Sequence, residues 1–194
     1  MSLAERLRAA FAIQPGFEPL EGDDIRHPGE HVAAAVLVAI TDRPEPGVLL
    51  TLRQPHLRHH AGQIAFPGGK IDPQDATPVE AALREAEEEI GLAPALVELV
   101  GSVDPYRTGS GYRIVPVIGV IPPDLSLVPH EAEVAAVFEA PLAYLLDAGN
   151  HARETKMFGT VERGFNVIQW RERRIWGITA ALIVNLSRRL AAFA

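Results

Sequence analysis

The chain has 194 residues, 47% of them hydrophobic, and a formal net charge of −7. That apolar share is enough for a packed core, and the acidic balance argues against a general nucleic-acid binder, which needs a basic footprint. Cysteine is absent, which excludes disulfides, thiolate catalysis and cysteine-based zinc sites.

In chain order, residues 2–12 read as a short amphipathic helix. Glu5, Arg6 and Arg8 interrupt that stretch, so it lacks the apolar run of an export signal and the expected compartment is the cytoplasm. Pro15, Gly16, Pro19, Gly22, Pro28 and Gly29 follow, as a linker would. The expected division is therefore an N-terminal helix and linker, residues 1–30, ahead of a domain spanning 31–194.

His31 to Ile40 is a continuous apolar run and reads as a buried strand. A second strand is expected over Val48 to Leu52. Gln54 to Gln63 is polar, and Phe66-Pro67-Gly68-Gly69 reads as a sharp loop. Pro78 to Ile90 is the strongest helix: Thr77 suits the N-cap, Pro78 the first turn, Glu80 a capping box and Gly91 the stop. Further strands are expected over Leu96–Val103, Ile114–Ile121 and Val134–Phe138, and a helical turn over Pro141–Asp147. Phe158 to Trp170 reads as a hairpin around Gly164, and Trp176 to Phe193 as the closing helix. The latter is too short in its apolar run for a membrane span, which wants ~18 residues. Strands and helices mix without regular alternation.

The helix over 78–90 holds the chemistry. At 100° per residue, Val79, Leu83, Ala86 and Ile90 share a core stripe, and Glu85, Glu88 and Glu89 share an adjacent face. Glu80 and Glu87 point away, and Arg84 stands four residues before Glu88. Clustered carboxylates repel one another; a hard divalent cation such as magnesium relieves that repulsion and prefers oxygen ligands. A solvated acidic face is the plain alternative. The Gly68-Gly69 segment ahead of the helix offers backbone amides for phosphate.

The stretch from Gly69 to Leu92 resembles the Nudix box. Its second half matches at every position: Arg84, Glu85, Ala86, Glu88, Glu89, Gly91 and Leu92. Its first half departs. Counted from Gly69, the family's first Glu falls on Asp75, with one extra residue before Arg84. Counted back from Arg84, it falls on Ala76 and the family Gly on Lys70. Asp75 and Asp72 are the candidate replacements.

Leu49-Leu50-Thr51-Leu52-Arg53, Arg58, Gly62 and Phe66-Pro67-Gly68-Gly69 are similar to the signature of the coenzyme A pyrophosphatase branch, with Gln54 where a small residue is usual. Gly109-Ser110-Gly111-Tyr112, Val115-Pro116-Val117, Glu133-Val134 and Trp176-Gly177 extend the likeness over roughly residues 31–185. The resemblance implies a Nudix-type α/β/α sandwich with a mixed β-sheet. It implies magnesium or manganese on Glu85, Glu88 and Glu89, with Glu88, Glu89 and Arg84 catalytic. The substrate is expected to be a small diphosphate such as coenzyme A, with no nucleic acid or membrane partner, acted on by a monomer or homodimer. Arg53, Arg58, Lys70, Gln63, Gly68 and Gly69 are the expected substrate contacts, with His56, His59 and His60 nearby. Glu88, Glu89, Glu131 or Glu133 could serve as base. Other dinucleotides or nucleotide sugars, such as NADH or ADP-ribose, and a non-catalytic binding module are the rival readings. A Ser-hydrolase elbow, a P-loop and a Gly-x-Gly-x-x-Gly motif are all absent from the sequence.

Overall fold

Strand β1 (Val32–Thr41) is the axis of the computed structural model, which describes residues 1–13, 31–159 and 161–190. It runs parallel to β7 (Tyr112–Ile121), from Val32 opposite Tyr112 to Thr41 opposite Ile121. Its other edge is shared. β4 (Gly68–Lys70) pairs with its first half and β2 (Gly47–Arg53) meets its end, both antiparallel. β2 carries β3 (Ile64–Ala65) and β8 (Val134–Pro141); β7 carries β5 (Glu98–Ser102) and β6 (Tyr106–Arg107). The result is one mixed eight-stranded sheet.

Side chains of β1 alternate between two cores. Ala35, Leu37 and Ala39 join Leu49, Val117 and Ile121 beneath α2 (Pro78–Ile90). Ala34, Val38 and Ile40 join Leu50, Ile114 and Ile118 on the opposite face. There they meet α1 (Leu3–Ile13), α3 (Leu142–Leu146) and α4 (Ile178–Arg189). Both faces are covered, which is why the run 31–40 is continuously apolar rather than alternating. Burying a side chain such as Leu37 or Ile40 contributes about 1.5–3 kcal/mol. The expected α/β/α sandwich is what forms. α1 adds Leu3, Ala4, Leu7 and Ala10 to the second core.

A second, three-stranded sheet orders β9 (His151–Phe158), β10 (Val161–Trp170) and β11 (Arg173–Trp176) as β11-β10-β9. α4 packs on β10, β11 and α3. Among the described residues no helix is long and apolar enough to cross a membrane.

Four sequence expectations need correction. Gly68-Gly69 is not a loop but strand β4, held by β1; glycines give no strand signal, and the pairing partner lies more than thirty residues earlier. Gly164 sits inside β10 opposite Thr155; the reversal follows Phe158, at Gly159 with φ +62. A Cβ at Gly164 would meet only the guanidinium end of Arg153, with Nε at 2.9 Å. Trp176 ends β11, and α4 starts only after Gly177, with φ +64. Leu96 closes a short turn, Pro94–Leu96, and the strand begins at Glu98. The linker prolines and glycines and the end of the closing helix, residues 191–193, lie outside the described residues.

Candidate active site

The sequence around α2 builds the site. Thr77 caps the helix by accepting a hydrogen bond from the Glu80 N–H at 3.2 Å, while the Glu80 carboxylate accepts one from Ala76 N–H at 2.8 Å. The helix stops at Gly91, φ +68, whose N–H donates to Glu87 O while Leu92 N–H reaches Ala86 O, the left-handed ending that glycine permits. The inward face is small: Ala81, Ala82, Ala86 and Ile90 are fully buried, and Val79 and Leu83 are only half-buried at its side. The core stripe is therefore rotated from the expected one. Its alanines seat the helix close to the sheet, and Glu89 turns inward with them.

The three carboxylates consequently do not share one environment. Glu88 is exposed, Glu85 is half-buried, and Glu89 is 5% exposed. Arg84 organises the first two. Its Nη1 donates to Glu85 Oε1 and to Glu88 Oε2, each at 3.0 Å. Its Nε and Nη2 grip Asp75 at 3.0 and 2.9 Å, and Nη2 also donates to Lys70 O at 3.1 Å. Arg84 holds the Asp75 carboxyl below the usual carboxylate range, mainly through these hydrogen bonds.

Glu89 is held separately. Its Oε2 accepts from Gly68 N–H at 3.2 Å, and Arg53 Nη1 stands 3.4 Å from Oε1. Burial pushes its pKa up to about 7; the Gly68 N–H and Arg53 pull it down, and Glu85 and Glu133 push it further up. Burial also raises Glu85, against the pull of Arg84. The charge of Glu133, the residue before β8, pushes both in the same direction. Glu131 offers its backbone carbonyl to Gln54 Nε2 at 2.7 Å.

With these side-chain positions, no three carboxylate or imidazole groups among the described residues converge on a metal-sized point. The donor set nevertheless fits a hard divalent ion. All donors are oxygens, and a buried carboxylate lies beside two further acids whose repulsion a cation offsets. Gly69 leaves room for this cluster, since a Cβ there would strike the Glu85 carboxylate. Gly68, φ +154, lies so close to β1 that a Cβ would stand 2.6 Å from Val36 Cα.

A cavity of about 540 Å³ opens on the sheet face opposite α2, where Ala34, Val36 and Ile114 point. β4 is common to both sides: Gly68, Gly69 and Lys70 line the cavity, while Glu85 and Glu89 rest on the same strand. Arg53 lines the cavity and also touches Glu89. Gln63, His59 and His60 line it as well, with His60 Nδ1 2.9 Å from Gln63 Oε1. Arg58 and His56 are exposed and are not part of the lining.

Residues 30–158 match the family model of the NUDIX domain. This chain belongs to the Nudix family. It is 46% identical over 176 residues to the uncharacterized Nudix hydrolase NudL of Shigella flexneri serotype 5b, covering 90% of this chain and 91% of that one. It is 47% identical over 162 residues to the protein of the same description from Escherichia coli K12, covering 82% and 83%. Among solved structures, the Nudix hydrolase RenU of M. smegmatis superposes with a TM-score of 0.51 at 25% identity, covering 63% of this chain and 80% of that one. A MutT/nudix family protein from Enterococcus faecalis shares the fold, with a TM-score of 0.55 at 20% identity, covering 99% and 70%.

The chain is thus a Nudix hydrolase of a diphosphate-containing small molecule, from a family that generally uses divalent metal ions. Within its Nudix box, Asp75 takes the Arg84 guanidinium, whereas Asp72 Oδ2 stays 3.8 Å from Arg84. Residue-level reading missed the far wall of the cavity: Arg163 and Phe165 on β10, and Ile178, Thr179 and Leu182 on α4. Period-two alternation along 161–170 was the available signal for Arg163 and Phe165. Ser110, Tyr112, Trp176 and Gly177 also line it; they had entered only through the family likeness.

Proposed function

We propose that this Nudix hydrolase cleaves the diphosphate bridge of coenzyme A or its acyl and oxidised forms, releasing adenosine 3′,5′-bisphosphate and a 4′-phosphopantetheine. One observation carries the reading. The cavity lining joins cationic Arg53 and Lys70, beside the acidic cluster, to the aromatic and aliphatic side chains of Phe165, Trp176 and Leu182, with Arg163 among them. A diphosphate flanked by two long, unlike arms suits that lining, and the volume is that of a small-molecule site.

In this reading Mg2+ or Mn2+ is held by Glu85, Glu88 and Glu89. The ion supplies charge neutralisation at phosphate oxygens and makes water a better nucleophile at neutral pH. Arg53 and Lys70 receive the diphosphate, and Gln63, oriented by His60, contributes a polar contact. Arg84 holds Glu85 and Glu88 in position, with Asp75 bracing it from behind. One water is consumed: its oxygen bonds to a phosphorus, the bridging P–O bond breaks, and the water proton passes to a carboxylate. Glu88, Glu89 and Glu133 are the candidates for that proton; the charge of Glu133 reaches Glu85 and Glu89, which favours it over Glu131.

The test is turnover of coenzyme A, NADH and ADP-ribose with magnesium and with manganese, products identified by mass. Release of adenosine 3′,5′-bisphosphate from coenzyme A, faster than turnover of the other two, is expected. Its absence, with NADH or ADP-ribose cleaved, overturns the substrate and leaves the Nudix chemistry in place.

A further inference from the structure

We infer that the three-stranded sheet carries the subsite for a 3′-phosphorylated adenosine, with Phe165 and Trp176 taking the base and Arg163 the 3′-phosphate. The inference deepens the coenzyme A reading and rests on it for the identity of the whole substrate.

The argument starts from strand register. Arg163 and Phe165 are two residues apart on β10 and therefore point to one face. Both line the cavity. Trp176 of β11 stands opposite Val167, the next residue on that same face, and lines the cavity too. Lys156 of β9 pairs with Arg163, which puts a second cation on this face.

The aromatic pair is held in place. The Phe165 and Trp176 rings meet edge to face, with centroids 5.6 Å apart and planes at 63°. Arg174 lies 5.8 Å from the Phe165 ring and 5.6 Å from the Trp176 ring. Its charge is matched by Glu154 at 2.6 Å, the residue opposite Phe165 on β9. Glu154 is thereby paired with a cation of its own, so part of its repulsion of an anion reaching Arg163 and Lys156 is offset. Both rings are only half-buried, as a stacking surface must be.

One face thus offers flat rings beside cations, the chemistry of a base carrying a nearby phosphate. Arg53 and Lys70, on the opposite wall beside β4, remain for the diphosphate. An acyl-pantetheine arm would need apolar surface but no cation at this end.

Binding of adenosine 3′,5′-bisphosphate, adenosine 5′-monophosphate and 4′-phosphopantetheine to the full chain, measured by calorimetry, tests the assignment. The wild type is expected to prefer the bisphosphate to the monophosphate by roughly tenfold or more, as a charge-assisted contact contributes. Arg163→Gln should bring that ratio close to one and leave monophosphate affinity unchanged; Arg163→Lys should keep part of it. Phe165→Leu should weaken both nucleotides by roughly tenfold without altering their ratio. Near-ultraviolet circular dichroism checks that each variant is folded. Equal weakening of both nucleotides by Arg163→Gln overturns the subsite. So does a wild type that binds neither nucleotide, or a Phe165→Leu effect confined to 4′-phosphopantetheine. If the ratio behaves as expected but coenzyme A is not cleaved, the subsite stands and the coenzyme A reading falls.

Discussion

Arg84 grips Asp75 with two hydrogen bonds, Nε to Oδ1 at 3.0 Å and Nη2 to Oδ2 at 2.9 Å. Asp75 has only 4% of its side chain exposed. The same guanidinium uses Nη1 for Glu85 and Glu88. One buried acid therefore sets the direction of an arginine that in turn sets two carboxylates.

Removing that brace should loosen the carboxylates without removing any of them. Asp75→Ala is expected to lower Mn2+ affinity and kcat/KM by roughly 10–100-fold, the usual cost of losing such support. Asp75→Asn, which keeps the shape but not the charge, should fall between wild type and Asp75→Ala. Calorimetric Mn2+ titration reads the effect; unchanged affinity in both variants rejects the bracing role.

The carboxylates themselves should divide sharply. Glu88→Gln and Glu89→Gln are each expected to lower kcat by at least ~10²-fold if they support metal catalysis. Glu87→Gln, on the exposed side of the same helix, should leave turnover near wild type. Equal activity across all three variants would remove the metal assignment.

Glu89 predicts an unusual pH dependence for the metal-free chain. Burial raises its pKa to about 7, so the folded chain binds this proton more tightly than the unfolded chain does. Its stabilising contribution is full below about pH 4 and is lost as pH rises through about 7. In chelator, wild type should lose stability relative to Glu89→Gln between these limits, by up to about 3 kcal/mol. Thermal melts of the two proteins from pH 5 to 8.5 measure it. Parallel curves would show that burial leaves this carboxylate unperturbed.

The two glycines of β4 should fail in different ways. In Gly68→Ala the new Cβ meets backbone of β1, which cannot yield, at a φ of +154; a loss of roughly 1–3 kcal/mol is expected. In Gly69→Ala the Cβ meets the Glu85 carboxylate, a movable group. Activity should then drop while Tm changes little. Comparing Tm and kcat for the pair separates the two effects, and a shared Tm loss would contradict the distinction.

Much of the framework was legible along the chain because its causes are local. Thr77, Pro78, Glu80 and Gly91 mark the ends of α2 through capping. The apolar run 31–40 announces a strand buried on both faces. The spacing of Arg84 and Glu88 places them one helical turn apart, and their contact forms at 3.0 Å.

The site was only partly legible. Helical angles put Glu85, Glu88 and Glu89 together, but the alanine face of α2 sinks onto the sheet and takes Glu89 inward. Arg58 does not line the cavity, although its neighbours His59 and His60 do.

The sequence by itself determined which residues can carry the chemistry: the acidic turn after Arg84, the glycines before it and the family to which they belong. Only the tertiary structure decided which acid braces Arg84, that Gly68 and Gly69 form a strand shared by two sides of the site, and that β10 and β11 supply the far wall. The reason is physical. Capping and helical spacing act between near neighbours in the chain, whereas burial, strand pairing and cavity walls depend on partners distant in sequence, whose positions no local pattern encodes.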